Sequence, residues 1–128
     1  MEKELQKPVF CKISEIMPGK HCYHVYGKVT EVRKTQRRKN NGEGIAQVEG
    51  IIADETGCAS FRFNGDQAGE VREGAVVAIR NGRSSVIDEH ILLEVDRFGK
   101  ISAEQVSIGA PNLSNNISAT AWEKKFSK

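Results

Sequence analysis

Five cations crowd into seven residues of this chain: Arg33, Lys34, Arg37, Arg38 and Lys39, with no acidic side chain among them. Positive charge concentrated in this way attracts phosphate oxygens, and each phosphate contact releases condensed counterions, so binding of this kind is salt-dependent. The alternative readings of the same stretch are a solvated loop and a short nuclear-import signal over Lys34–Lys39. Lys28, Arg62, Arg80 and Arg83 are candidates to extend the patch, with Glu49 and Glu94 placed to interrupt it.

Other residue types suggest other chemistry. Tyr26 is the candidate for stacking on a base, the alternative being a half-buried strand tyrosine with its hydroxyl in solvent. Cys22 and His24 stand two apart, so a strand would place them on one face, next to His21. A zinc site needs three or four ligands and only Cys11 could add one, so no metal is expected. The three cysteines are an odd number without CxxC spacing, which argues for reduced thiols. No pairing of nucleophile with base and no paired carboxylates stand out, so neither catalysis nor a cofactor is expected. Near the C-terminus, Ser118 could cap a short helix over 118–127 that sets Trp122 and Phe126 four apart on one face. Such a helix is too short to stand alone. It is expected to dock, on the barrel or on a protein partner.

The elements that must position these residues are strands. From Cys22 to Val32 the chain is rich in β-branched and aromatic residues, with Val25 and Val29 on one face and Gly27, a site for a bulge or sharp coiling, between them. Residues 33–44 contain no apolar side chain and read as a loop. A second strand starts near Ile45 and ends at Ala53, where Asp54-Glu-Thr-Gly57 has turn chemistry. In the third strand, Cys58 to Asn64, residues Ala59, Phe61 and Phe63 alternate with Ser60 and Arg62, so the two phenylalanines are packing residues. Residues 67–73 read as about two turns of weak helix stopped by Gly74. Val77 and Ile79 point inward in a fourth strand. Ile91, Leu93 and Val95 do so in a fifth, and Phe98 closes one end. Asn81-Gly82 is a hairpin signal, but the extended residues after it favour a bend within a longer fourth strand. Residues 102–117 are polar and small, without a core pattern.

At 128 residues and 38% hydrophobic the chain suits one domain, and its net charge of +2 says less than the distribution of that charge. No stretch approaches the ~20 apolar residues that span a bilayer. The polar opening residues lack the apolar region of a secretory signal, so an intracellular protein, nuclear or cytoplasmic, is expected. Three strands, a short helix and two further strands describe an all-β, five-stranded OB-fold Greek-key barrel. The expected division is an N-terminal arm over 1–8, the OB-fold domain over 9–101 and a polar tail over 102–128.

Gly27-Lys-Val-Thr-Glu-Val32, Ala53-Asp-Glu-Thr-Gly57, Glu73-Gly74 before Val76-Val77, Arg80-Asn-Gly82 and Val95-Asp-Arg-Phe-Gly-Lys-Ile101 follow one another in a familiar order. Together they resemble the single-OB-fold single-stranded-DNA-binding proteins related to archaeal replication protein A and to the SSB subunits of the eukaryotic SOSS complex. The likeness is greater to the small plant-type members of that group, and it covers roughly residues 9–113, Ala110-Pro-Asn-Leu113 included. The resemblance implies binding of single strands across the second and third strands, flanked by the loops between strands one and two and between four and five. It also implies aromatic stacking, and there this chain departs from its relatives. Asn64 stands where they carry tryptophan, Arg83 and Ile87 where they carry rings, and Glu94 where they carry tyrosine. Each lost platform weakens binding by about 1–3 kcal/mol per base, although a guanidinium plane such as that of Arg83 can stack in part. The expected function is non-enzymatic binding of single-stranded DNA or RNA through a basic groove of weak sequence specificity. The rival is a protein-interaction subunit of a nucleic-acid-processing complex with little affinity of its own.

Overall fold

A computed structural model describes residues 10–17, 21–38, 41–87 and 89–119, with the backbone alone for residues 21, 22, 37 and 96–98. Its strands are β1 (Phe10–Cys11), β2 (His21–Arg38), β3 (Gly44–Ala53), β4 (Cys58–Asn64), β5 (Val76–Ile87) and β6 (His90–Ala103). Their order is β1-β2-β3-β4-β6-β5, and β5 returns to pair with β2, so the sheet closes on itself. The closure is antiparallel except where β4 meets β6, at Ser60↔Leu92 and Phe61↔Leu93. The five expected strands are β2 to β6, and the fold is the expected OB barrel.

One strand makes the closure possible. The first half of β2 pairs with β5, from His21↔Arg83 to Lys28↔Val76, and the second half pairs with β3, from Lys28↔Ala53 to Arg38↔Gly44. Between the halves the register slips at Val29/Glu31, a bulge that coils the strand sharply. Glycine is required opposite: a Cβ on Gly50 would lie 1.8 Å from the Glu31 carbonyl oxygen. Gly27 is needed one turn of the pleat earlier, where a Cβ would lie 2.4 Å from the Ile52 side chain.

The core follows the period-2 pattern. Val25 and Val29 of β2, Ala59, Phe61 and Phe63 of β4, Val77 and Ile79 of β5 and Ile91, Leu93 and Val95 of β6 are buried inside the barrel. Ile13, which opens a single 3₁₀ turn at Ile13–Glu15, and Ile16, which follows it, are buried with them. Asn81 bends β5 without ending it. It takes φ +54°, a conformation asparagine tolerates, and the register against β6 shifts there.

Three expectations need correction. Residues 33–38 are strand rather than loop, because β3 begins at Gly44 and continues the ladder outward to Arg38. Residues 65–75 hold successive i→i+3 backbone bonds rather than a helix, among them Gln67 N–H to Asn64 O and Val71 N–H to Ala68 O. Three glycines in ten residues explain why no helix propagates there. Past β6, which runs to Ala103, Ile117 contributes to the core, and Asn116 forms a parallel bridge with Cys58. The N-terminal arm and most of the expected 118–127 helix lie outside the described residues, as does the Phe98 side chain.

Asp54 fastens the turn after β3 to the barrel end. Its Oδ1 accepts from Thr56 N–H (2.8 Å), the Thr56 hydroxyl (2.6 Å) and Gly57 N–H (3.2 Å), while Oδ2 accepts from Ile13 N–H (2.9 Å). The carboxylate is 2% exposed, so removing it strands buried donors. Asp54→Ala is expected to cost about 3 kcal/mol or more in urea unfolding, and Asp54→Asn less than half of that. A loss below about 1 kcal/mol for the alanine variant would show that water replaces the carboxylate freely.

Candidate nucleic-acid interface

The pleat divides the basic segment. Consecutive strand residues point to opposite sides, so Arg33 and Lys34 part company. Arg33 joins the outer face of β3 and β4, where it sits in register with Glu49, itself in register with Arg62. Glu49 Oε2 accepts from Arg62 Nε at 2.9 Å, and its Oε1 lies 3.7 Å from Arg33 Nη2. Glu31 pairs with Arg33 as well. Lys34 instead lines a cavity of about 480 Å³ on the other side of the hairpin, with Val48, Ala68, Val71 and Arg72. Arg38 reaches the hairpin tip and donates from Nη1 to Gly42 O at 3.1 Å. Arg37 pairs through its backbone with Ile45, and Lys39 lies outside the described residues.

The β5–β6 hairpin borders the same face. Arg83 and Glu94 are in register and paired at 3.3 Å, and Glu94 also accepts from the Ser85 hydroxyl at 2.6 Å. Under Arg83, the Tyr23 hydroxyl donates to the Arg83 carbonyl at 3.1 Å. Burial holds that phenol protonated, well above its usual range. Between β4 and this hairpin opens a cavity of about 430 Å³ lined by Ser60, Arg62, Ile87, His90 and Leu92 and by Asn116, Ser118 and Ala119 of the C-terminal segment. Ile87 is 44% exposed at its mouth.

Lys28 and Tyr26 stand elsewhere, on the half of β2 that pairs with β5, and Arg80 stands on β5 itself. The Phe10 ring stacks on Tyr26 at 4.1 Å between centroids and 10° between planes, and it is tilted against His24 at 5.7 Å. The Arg80 guanidinium lies 5.6 Å over Phe10, donates to the Ser102 hydroxyl at 3.0 Å and pairs with Glu104 at 3.5 Å. His24 Nδ1 accepts from Asn81 N–H at 3.1 Å, which fastens the β5 bend. Tyr26 is therefore stacked within the protein on one of its faces. Among the described residues no group of three or more His, Cys, Asp or Glu side chains could hold a metal ion. No described helix is long and apolar enough to cross a membrane.

The ten candidate residues thus do not form one patch. Arg33 and Arg62 meet through Glu49, Arg83 flanks them, and Tyr26, Lys28 and Arg80 belong to a different face. Trp122 and Phe126 lie outside the described residues. Sequence reasoning missed Phe10 as the stacking partner of Tyr26, and missed the 116–119 segment at the groove edge. The one available signal was an isolated Ile117 after Asn115-Asn116 in a polar tail.

The family model of the single-stranded DNA binding protein Ssb-like OB fold matches residues 16–103. The chain belongs to the Ssb-like OB-fold family. An uncharacterized Arabidopsis thaliana protein is 30% identical over 92% of this chain and 84% of its own length. The solution structure of a hypothetical Arabidopsis thaliana protein superposes with a TM-score of 0.78 at 30% identity, covering 100% of this chain and 95% of that one. The second OB-fold domain of Methanococcus maripaludis replication protein A, at 20% identity, has the same fold: its TM-score is 0.62, over 79% of this chain and 100% of the domain.

Within this Ssb-like fold the Phe10–Tyr26 pair should behave as a structural contact. A double-mutant cycle of Phe10→Leu and Tyr26→Leu in urea unfolding is expected to give a coupling of about 0.5–1.5 kcal/mol. Strictly additive losses would return Tyr26 to the pool of ligand-facing rings.

Proposed function

We propose that the chain is a non-enzymatic module, acting inside the cell, that binds single-stranded DNA or RNA on the outer face of β3 and β4. The β2–β3 and β5–β6 hairpins grip the phosphates, and sequence preference is weak. The observation that carries this reading is the pair of cation-bearing hairpins flanking one sheet face. One carries Arg33 and Arg38, and the other carries Arg83. Membership of the Ssb-like family supports it, as does the name of that family. The Methanococcus maripaludis domain that shares this fold is a domain of replication protein A.

Two features lower the expected affinity. The outer face of β3 and β4 presents Glu49, Ser60, Arg62 and Asn64, with Gln47 buried against Asn64, and no ring on which a base could stack. Glu49 and Glu94 already neutralise Arg62 and Arg83. These features favour a second reading, an interaction subunit of a nucleic-acid-processing complex that contacts a protein partner through its C-terminal tail.

Fluorescence anisotropy with labelled single-stranded DNA, single-stranded RNA and duplex, across a salt series, separates the two. Single strands are expected to bind, with affinity falling as salt rises. Reversal of Arg37, Arg38 and Lys39 to Glu should weaken binding at least tenfold and flatten the salt slope, while Glu49→Gln should strengthen binding by a few-fold at low salt. Absence of binding below ~100 μM at low salt, where non-specific binders register, favours the interaction subunit. Binding indifferent to the reversal would move the site away from the β2–β3 hairpin.

A further inference from the structure

The second half of β2 has one edge without a partner. Lys28↔Val76 is its last pairing with β5, and just beyond it Val29 N–H donates to Ala75 O at 2.8 Å and Gly74 N–H to Val29 O at 2.7 Å. From Glu31 to Arg38 the strand pairs with β3 along one edge, and among the described residues its other edge makes no backbone bond. An open edge of this kind is a template for one more strand. The same stretch of β2 lines the cavity of about 480 Å³ under the hairpin. The walls of that cavity are apolar: Val32 and Val48 are partly buried against the core, and Ala68 and Val71 are buried.

Lys34 and Arg72 stand at this cavity, both exposed, and among the described residues neither has an ion pair or a side-chain hydrogen bond. Lys34 is in register with Val48, so the two share the face of the hairpin that covers the cavity. The cations of the other face differ, since Arg33 and Arg62 are already paired with Glu49. Apolar walls beside unpaired cations suit an occupant that carries apolar and acidic side chains together. A second copy of this chain is a poor occupant, because pairing β2 with β2 sets Arg33, Lys34 and Arg38 against one another. A phosphate backbone would use the cations but has no use for an open strand edge.

We propose that the β2–β3 hairpin carries a second site, on the side away from the β3–β4 groove, where an extended acidic segment of a protein partner adds to the open edge of β2. Its carboxylates meet Lys34 and Arg72, and an apolar side chain between them enters the cavity. Backbone pairing supplies affinity, and the alternation of acidic with apolar residues along one face of the segment supplies selectivity. The site stands independently of nucleic-acid binding in the groove.

The probe is the peptide Glu-Thr-Val-Thr-Glu-Thr-Val-Thr-Glu with an N-terminal fluorophore, which as a strand sets Glu and Val on one face and Thr on the other. Anisotropy should show saturable binding to the full chain. Reversal of Lys34 and Arg72 to Glu should weaken it about tenfold or more. N-methylation of one alternate set of peptide nitrogens should do the same while the other set is neutral, the signature of an added strand. Gly69 lines the cavity, and a Cβ there would meet nothing within 4 Å. Gly69→Leu should therefore block the peptide at an unchanged melting temperature. No binding at about 1 mM overturns the site, and so does binding insensitive to the reversal, to both methylations or to Gly69→Leu. Displacement of the peptide by oligo(dT), with oligo(dT) affinity also lost in the reversed variant, overturns it by giving the cavity cations to nucleic acid. Self-association of the chain that Gly69→Leu abolishes overturns it in favour of a second copy on the edge.

Discussion

Everything in this molecule hangs on β2 pairing along both of its edges. A sheet closes into a small barrel only if one strand serves two neighbours that diverge, and a flat strand cannot do so. The register slip at Val29/Glu31 turns the strand, and it brings the Glu31 carbonyl so close to β3 that position 50 has no room for a side chain. The close approach and the bulge are one feature seen from two strands. Once β2 has turned, its second half runs outward with β3 as a hairpin arm. Its first half lies against β5, so Arg33 and Tyr26, seven residues apart on one strand, come to occupy different faces of the barrel.

The same turn governs the electrostatics. In sequence the basic segment looks like a single source of field. Folded as a strand, it is split by the pleat between the β3–β4 face and the cavity under the hairpin, and on the first of these faces Glu49 stands in register between Arg33 and Arg62. These ion pairs are partly exposed and contribute little to stability. Their effect is on the ligand side: a guanidinium that already has a carboxylate offers phosphate an exchange of partners.

Much of the fold is legible because burial imposes a period of two. Val25, Val29, Phe61, Phe63, Ile79 and Leu93 all reveal their facing through their neighbours, and Asn81 reveals a bend because the residues beyond it remain extended. Residues 33–38 are illegible for the complementary reason. At the rim of a barrel both sides of a strand are wet, alternation vanishes, and only the partner strand betrays the ladder. The 67–73 segment misleads because its Gln-Ala-Gly-Glu-Val-Arg-Glu composition suits a helix, while the glycines around and within it favour consecutive turns. The site is less legible than the fold. Registers such as Glu49↔Arg62 and contacts such as Phe10 on Tyr26 join residues 13 and 16 apart in sequence, and no local pattern announces them.

A self-neutralised groove has a thermodynamic signature of its own. When a phosphate takes Arg62 or Arg83 from its carboxylate, Glu49 or Glu94 is left beside an anionic strand and must turn to solvent or recruit a cation. Counterions released from the nucleic acid are then partly offset by cations taken up at the glutamates. The salt dependence of binding should fall short of the number of arginines in contact. The cations of the hairpin rim would carry most of that dependence. In such a groove the net attraction would be set at the hairpin edges, while the central face of β3 and β4 would offer a ligand only Ser60 and Asn64 as uncharged hydrogen-bonding groups.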